Sequence, residues 1–263
     1  MDLGIKGRIA LVTASSKGLG HAVAHALASE GCHVCISSRT AEAAEQAARA
    51  IASATGANVI GFPCDVTRHA DCERLVEQVV QRWGRADILI NNSGGPAPGS
   101  FDAADENAWQ AAIDSTLMNV VRMSRLCIPH MKKNRWGRII TITSTSAVQP
   151  IDNLMLSNAL RSAVHGLSKT LATELAPHGI LVNCVMPGMH ATDRLRHLAE
   201  ARAKTSGLSE DQEYAKLSLA IPLGRLGEPA ELAAAVAFLA SERASFITGT
   251  SLLVDGGATR GLS

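Results

Sequence analysis

The chain has 263 residues, 46% of them hydrophobic, enough for one large α/β domain or two small ones with a substantial core. Its 25 Lys and Arg are interspersed with 24 Asp and Glu, a balance that speaks against a nucleic-acid footprint or a stripe for anionic membranes. No apolar run approaches the roughly 18–20 residues that span a bilayer, and the opening MDLGIKGRIALVT has no signal-peptide cleavage pattern, so a cytoplasmic chain handling a small ligand is expected.

Short apolar runs alternate with longer stretches of helical period. RIALVT is followed by HAVAHALASE, HVCIS by AEAAEQAARAIASA, NVIGF by DCERLVEQVVQRW, and DILIN by one long helix from about 106 to 132. The second half adds GRIITITS, a helix over 157–174, ILVNCVM, an irregular helical stretch around 192–217, the helix PAELAAAVAFLAS and the closing run SLLV. Strands apolar throughout, separated by helices, require a parallel sheet covered on both faces, which predicts a Rossmann-type, doubly wound α/β fold. No linker, repeat or low-complexity tract divides the chain, so residues 1–263 read as one domain, with a candidate substrate lid at about 189–224.

The first strand runs directly into Thr13, Ala14, Ser15, Ser16, Lys17, Gly18, Leu19 and Gly20, and then into a helix. Glycines at such a turn let backbone approach a pyrophosphate, and the helix N-terminus offers unpaired N–H groups and a favourable dipole. The second strand ends in Ser37, Ser38, Arg39 and Thr40, with no acid for a ribose hydroxyl. Arg39 with Lys17 suits a 2′-phosphate, so NADP(H) is expected over NAD(H); without Lys17, Arg39 would read as a solvated surface residue. Cys32 and Cys35 form the only close cysteine pair. Three apart on an extended run they point to opposite faces, and with no second cluster no metal site is expected.

The chain resembles the short-chain dehydrogenase/reductase family, and especially its 3-oxoacyl-acyl-carrier-protein reductase-like members, over nearly its whole length. Thr13 to Gly20 is similar to the family's TGxxxGxG, Asp65-Val66 to its Asp-Val, and Asn91-Asn92-Ser93-Gly94 to its NNAG. Gly137-Arg138-Ile139-Ile140 leading to Ser144, Val182-Asn183, Pro187-Gly188 followed by Thr192, and Asp255-Gly256-Gly257 follow in order. The resemblance implies adenine near Asp65 and Val66, a cofactor contact at Asn92, Ser93 and Gly94, and nicotinamide near Pro187, Gly188 and Thr192. It also implies a homodimer or homotetramer, through helices around 106–132 and 157–176 and through helix 229–241 with the last strand.

Several residues depart from that pattern. The first loop glycine is Ala14, tolerable if its φ stays negative. The family's Asn, Ser, Tyr and Lys fall on Thr116, Ser144, Ser157 and Arg161, and only Ser144 matches; the resemblance also implies a cofactor contact at Arg161, where the family's lysine holds the ribose. The single tyrosine, Tyr214, does not begin a YxxxK. An alcohol is a far weaker acid than a phenol, and an arginine stays protonated, so the pair Ser157–Arg161 can attract charge but cannot relay a proton as the family's pair does. Ser144, Ser157 and Arg161 remain candidate donors to a developing alkoxide, with Asp152, His190 or Tyr214 as proton sources. The expectation is an NADP(H)-dependent oxidoreductase acting on a small-molecule or acyl-carrier-bound carbonyl, its proton donor rebuilt. The competing expectation is a chain that binds NADP(H) without hydride transfer. Arg194, Arg196 and Arg202 could form a basic entrance for an acyl carrier, with a solvated helix face as the alternative.

Overall fold

A computed structural model describes residues 2–261, without the side chains of Ala201, Arg202 and Thr205; the entrance expected at Arg202 therefore lies outside the described residues. Seven parallel strands form one sheet in the order β3-β2-β1-β4-β5-β6-β7. They are β1 (Ile9–Val12), β2 (His33–Ser38), β3 (Val59–Pro63), β4 (Ile88–Asn91), β5 (Gly137–Ile142), β6 (Ile180–Pro187) and β7 (Ser251–Val254). The helices are α1 (Gly18–Ser29), α2 (Ala41–Thr55), α3 (His69–Trp83), α4 (Glu106–Ala112), α5 (Asn119–Asn134), α6 (Met155–Leu175), α7 (Asp193–Ser206), α8 (Glu210–Leu219) and α9 (Pro229–Leu239).

Alternation along β1 sorts its side chains to two cores. Ala10 and Val12 pack with Val23 and Leu27 of α1, Ile51 of α2 and Val236 of α9, whereas Ile9 and Leu11 pack with Val79 of α3, Met123 and Met131 of α5 and Leu175 of α6. Each buried Val, Leu or Ile contributes about 1.5–3 kcal/mol by leaving water, so both faces of the sheet are covered and the doubly wound reading holds. Cys32 and Cys35 fall in opposite cores, and all six cysteines are buried free thiols.

Two segments differ from the sequence reading. The helix expected over 106–132 is interrupted by a π-helical stretch, Ile113–Met118, between α4 and α5. Such an insertion re-aims the side chains it carries, here Thr116. The irregular stretch near 192–217 resolves into two helices, α7 and α8, packed on each other, with α8 opened by a Ser209–Gln212 capping box. Among the described residues no helix is long and apolar enough to cross a membrane.

β1 and β4 are neighbours although β2 and β3 intervene in sequence. The order reverses between them, and open α/β sheets bind ligands at the carboxyl ends of the strands beside this point. The loops that leave it are 13–17 and 92–95.

Candidate active site

The loop after β1 is held by side chains that face into the protein. Thr13 is fully buried; its Oγ1 donates to the Asn92 carbonyl and accepts the Asn92 N–H, each at 2.8 Å. Ser15, also fully buried, donates to the Val12 carbonyl at 2.7 Å and accepts the Ser37 N–H at 3.2 Å. Both were expected to meet the cofactor, but their side chains are spent on bracing β1 against β4 and β2, and their N–H groups donate to the Ile90 and Ser37 carbonyls at 3.1 and 2.8 Å. Gly20 cannot carry a side chain, since a Cβ there would lie 2.8 Å from the Ala14 carbonyl oxygen and 2.7 Å from Asn92 Nδ2.

Ala14 does not keep a negative φ. It sits at +46°, in the left-handed region, with its N–H donated to Ser37 Oγ at 3.3 Å and its carbonyl accepting from Asn92 Nδ2 at 3.0 Å. Both polar groups of this one residue are claimed, by Ser37 of β2 and by Asn92 after β4, so the turn keeps a glycine-like path and the alanine bears the strain.

The loop presents Ser16, Lys17, Gly18 and Leu19 toward the end of β2. Ser16 Oγ donates to Ser38 Oγ at 3.3 Å, while Lys17 and Arg39 are exposed and have no ion-pair or hydrogen-bond partner among the described residues. No side chain caps α1, so its first N–H groups remain available. Two unpaired cations beside paired hydroxyls and an uncapped helix end suit a dinucleotide with an added phosphate. At the far end of β3, Asp65 accepts from Thr67 N and Oγ1 at 3.0 and 2.8 Å, and the Val66 carbonyl accepts from Arg122 at 3.5 Å, which orders the segment expected beside adenine.

The second cluster lies beyond β4 and β5. Thr116, Arg161 and Asn91 line one cleft with Asn119, Thr141 and Ser93. Four buried polar atoms there lack a partner: Asn91 Oδ1, Thr116 Oγ1, Asn119 Oδ1 and Arg161 Nε. Unmade hydrogen bonds cost about 1–3 kcal/mol each, so the cluster carries polarity that its own side chains leave unmet. Arg161 is only 9% exposed, and its Nη1 donates to the Ile142 carbonyl at 2.8 Å. Burial first, and then the nearby charge of Arg194, bring its pKa down to about 10, still cationic at neutral pH.

The three serines beside Arg161 form a chain through a residue that the motif count overlooked. Ser157 Oγ bonds to Ser146 Oγ at 3.0 Å, and the Ser146 N–H donates to Ser144 Oγ at 3.1 Å. Ser144 thus has its oxygen occupied as an acceptor and its own O–H free to donate. Ser146 lay two residues past Ser144 in the run Ser-Thr-Ser, and a short 3₁₀ turn, Thr145–Ala147, is what brings it under Ser157. The loop that follows is tied to α6 by the reciprocal pair Ile151 and Asn158, at 3.2 and 3.0 Å, and by Ser162 Oγ on the Ala147 carbonyl at 2.8 Å.

Pro187 and Gly188 end β6, where Gly188 is hydrogen-bonded to the Val254 carbonyl and packs on Asp255. Thr192 follows at the start of α7 without capping it by its side chain. Of the proton sources named above, His190 is 4% exposed and packs on Gly227, and burial holds its pKa down. Tyr214 lies under the Arg196 guanidinium, 4.8 Å from its ring centre, and Asp152 is exposed on the loop before α6. The basic entrance does not form from the described side chains. Arg196 pairs with Glu210 at 3.4 Å, and Arg194, exposed at the start of α7, donates to the Gly94 carbonyl. Among the described residues no cluster of three or more His, Cys, Asp or Glu could hold a metal.

The family model described as Enoyl-(Acyl carrier protein) reductase matches residues 13–259. The human protein Dehydrogenase/reductase SDR family member 4 is 37% identical over 254 residues, 96% of this chain and 88% of its own. The 3-oxoacyl-[acyl-carrier-protein] reductase FabG of Salmonella typhi is 39% identical over 257 residues, 97% of this chain and 98% of its own. The solved structure of L-sorbose reductase from Gluconobacter frateurii, complexed with NADPH and L-sorbose, superposes with a TM-score of 0.96 at 34% identity, covering 100% of both chains. With the strand order, the loop after β1 and matches across this length, the chain belongs to the short-chain dehydrogenase/reductase family.

Proposed function

We propose that the chain is an NADP(H)-dependent oxidoreductase acting on a carbonyl or hydroxyl group of a small-molecule or acyl-carrier-bound substrate, with the family's proton-donating pair replaced by Ser157 and Arg161. The observation that carries this reading is the cradle at the ends of β1 and β2. Lys17 and Arg39 stand exposed and unpaired beside Ser16 and Ser38, at an uncapped helix N-terminus. The NADPH complex of L-sorbose reductase supports the same cofactor.

In this reading Lys17, Ser38 and Arg39 hold the 2′-phosphate, backbone from Ser16 to Gly20 holds the pyrophosphate, and Asp65 and Val66 flank the adenine. Asn92, Ser93, Gly94, Pro187, Gly188 and Thr192 hold the nicotinamide end. NADPH supplies a hydride when bound. Ser144 donates its free O–H to the substrate oxygen, Ser157 is oriented toward the same place by Ser146, and the Arg161 charge stabilises developing alkoxide without giving up a proton. Thr116, in the position where the family has asparagine, lines the same cleft, and the segment 189–224 covers it as a lid. The relatives named above are reductases, and no observation favours binding without hydride transfer. Exposed Leu252 on the edge strand β7 and exposed Phe246 nearby in sequence support a homodimer or homotetramer.

The test is a titration of the purified protein with NADPH and NADH, followed by nicotinamide fluorescence, and then a carbonyl panel read by NADPH oxidation. NADPH is expected to bind more tightly than NADH, and Arg39→Asp to remove that preference. Equal affinity for both nucleotides would defeat the cofactor assignment, and tight NADPH binding with no turnover across the panel would defeat the reductase assignment.

A further inference from the structure

Cys64 follows β3 and Cys72 lies in the first turn of α3, with Asp65 and Val66 in the loop between them. That loop folds back on itself. The Asp65 N–H donates to Asp71 Oδ2 at 3.1 Å and the Arg68 N–H to the Asp65 carbonyl at 2.9 Å. Both thiols therefore enter the same core, where they share a hydrogen bond, the Cys64 S–H toward Cys72 Sγ. Cys72 Sγ in turn donates to the Val66 carbonyl at 3.7 Å, and the same carbonyl accepts from Arg122 Nη1 at 3.5 Å. One sulfur thus has a second sulfur and a guanidinium beside it. The two cysteines are 3% and 0% exposed, next to Asp65, Val66 and Thr67, which are only half-buried, so the pair lies one layer below the surface.

A thiolate, not a thiol, attacks an oxidant. The bond from Cys64, helped by the Arg122 charge and opposed by burial and by Asp71 and Asp65, holds the Cys72 thiol below its ordinary pKa, while the same bond and burial push Cys64 up. Burial also pushes up Cys32, Cys35, Cys127 and Cys184, so Cys72 is the one cysteine of the six inclined to ionise. Its neighbour Cys64 is already in contact and needs no rearrangement to meet it. A covalent bond requires the sulfurs at about 2.05 Å, closer than any hydrogen bond, so joining them draws the first turn of α3 toward the end of β3. Cys72 then has no proton left for the Val66 carbonyl.

We infer that Cys64 and Cys72 are a reversible disulfide site whose oxidation by hydrogen peroxide loosens the hold on NADP(H) at its adenine end. This rests on the cofactor reading, which sets Asp65 and Val66 beside the adenine. In the first step Cys72 sulfur attacks peroxide: an S–O bond forms, the O–O bond breaks, and the departing hydroxide leaves as water with the proton Cys72 gave up. Cys64 sulfur then attacks the sulfenic acid. The S–S bond forms, the S–O bond breaks, and the hydroxyl leaves as a second water with the Cys64 proton. Two thiols are oxidised and one peroxide is reduced to two waters. A dithiol reverses the change by exchange. The loop that flanks the adenine is thereby tied to the redox state of the two sulfurs at its ends, and bound NADP(H) in turn favours the dithiol.

The experiment treats the purified protein with hydrogen peroxide, maps its proteolytic peptides by mass spectrometry, and titrates it with NADPH by nicotinamide fluorescence. A Cys64–Cys72 crosslink is expected, with NADPH bound about tenfold more weakly until dithiothreitol restores the affinity. Cys64→Ala and Cys72→Ala are each expected to bind NADPH as the reduced wild type does and to keep that affinity after peroxide. In a glutathione redox buffer, saturating NADPH is expected to make the crosslink easier to reduce by the same factor, about 30 mV for a tenfold coupling. A map with no crosslink, or one joining other cysteines, would overturn the inference. So would unchanged NADPH affinity in the crosslinked protein, or a peroxide effect that survives in both variants. If the reduced wild type does not take up NADPH, the cofactor reading has failed, and the peptide map still decides whether the two sulfurs join.

Discussion

Replacing Ala14 with glycine should stabilise the protein, against the usual rule that added glycine weakens a fold. At φ +46° the methyl group crowds the following carbonyl, a conformation that costs a residue with a Cβ roughly 1–2 kcal/mol. The opposing effect is the greater freedom of glycine in the unfolded chain, about 0.4–1 kcal/mol. The hydrogen bonds to Ser37 and Asn92 involve only the backbone of residue 14 and persist in the variant. The difference leaves a net gain of about 0.5–1 kcal/mol, or roughly 1–4 °C in Tm for a domain of this size. Scanning calorimetry or urea unfolding of Ala14→Gly against the wild type reads it directly, with Ala14→Val as a companion that should lose stability because a β-branched side chain tolerates positive φ even less. A lower Tm in Ala14→Gly, or no loss in Ala14→Val, would refute the left-handed conformation and the strain argued from it.

Ser157→Tyr combined with Arg161→Lys installs a phenol that can give up a proton. Since a positioned general acid contributes about 10²–10⁴ in rate, the double variant should reduce a carbonyl substrate at least tenfold faster in kcat, and no gain would place the proton source outside this pair. Ser146→Ala strands the Ser157 hydroxyl without its 3.0 Å partner, and should lower thermal stability by about 1–3 kcal/mol, as well as slowing turnover, while leaving NADPH affinity intact in the fluorescence titration. Burial, and secondarily Cys72, push the Cys127 thiol up to about 12. Above pH 9 the unfolded chain therefore ionises this thiol while the folded chain does not, and between pH 8 and 10 the group withdraws about 1.4 kcal/mol of stability that Cys127→Ala should not lose in urea unfolding. Burial and then the Arg161 charge hold His165 below its usual pKa, between Thr143 Oγ1 at 2.9 Å and Ser251 Oγ at 3.4 Å. As pH falls below about 6.5 the unfolded chain takes up that proton first, so stability declines, and His165→Gln should flatten the decline in a Tm series from pH 7.5 to 5.

What the sequence determined by itself is whatever depends on near neighbours. Apolar strands and 3.6-residue periods set β1 to β7 and their helices, because burial on two faces demands those patterns wherever the strands finally lie. The loop from Thr13 to Gly20, with Arg39 at the next strand end, could be read as a candidate phosphate cradle because its parts are contiguous or one βαβ unit apart. Tertiary structure alone decided the rest. Thr13 and Ser15 face inward because Asn92, just past β4, and Ser37 of β2 claim their hydroxyls. Ala14 turns left-handed for the same reason, its N–H and carbonyl being taken by residues 23 and 78 positions away. Ser146 reaches Ser157 only through a 3₁₀ turn and a loop pinned to α6. Arg194, which in the sequence was one of three arginines on a lid, reaches Gly94 across 100 residues to stand beside Arg161. No periodicity or spacing encodes that meeting, since the loop after β4 and the start of α7, which follows β6, are carried together by two strands that flank β5 in the folded sheet.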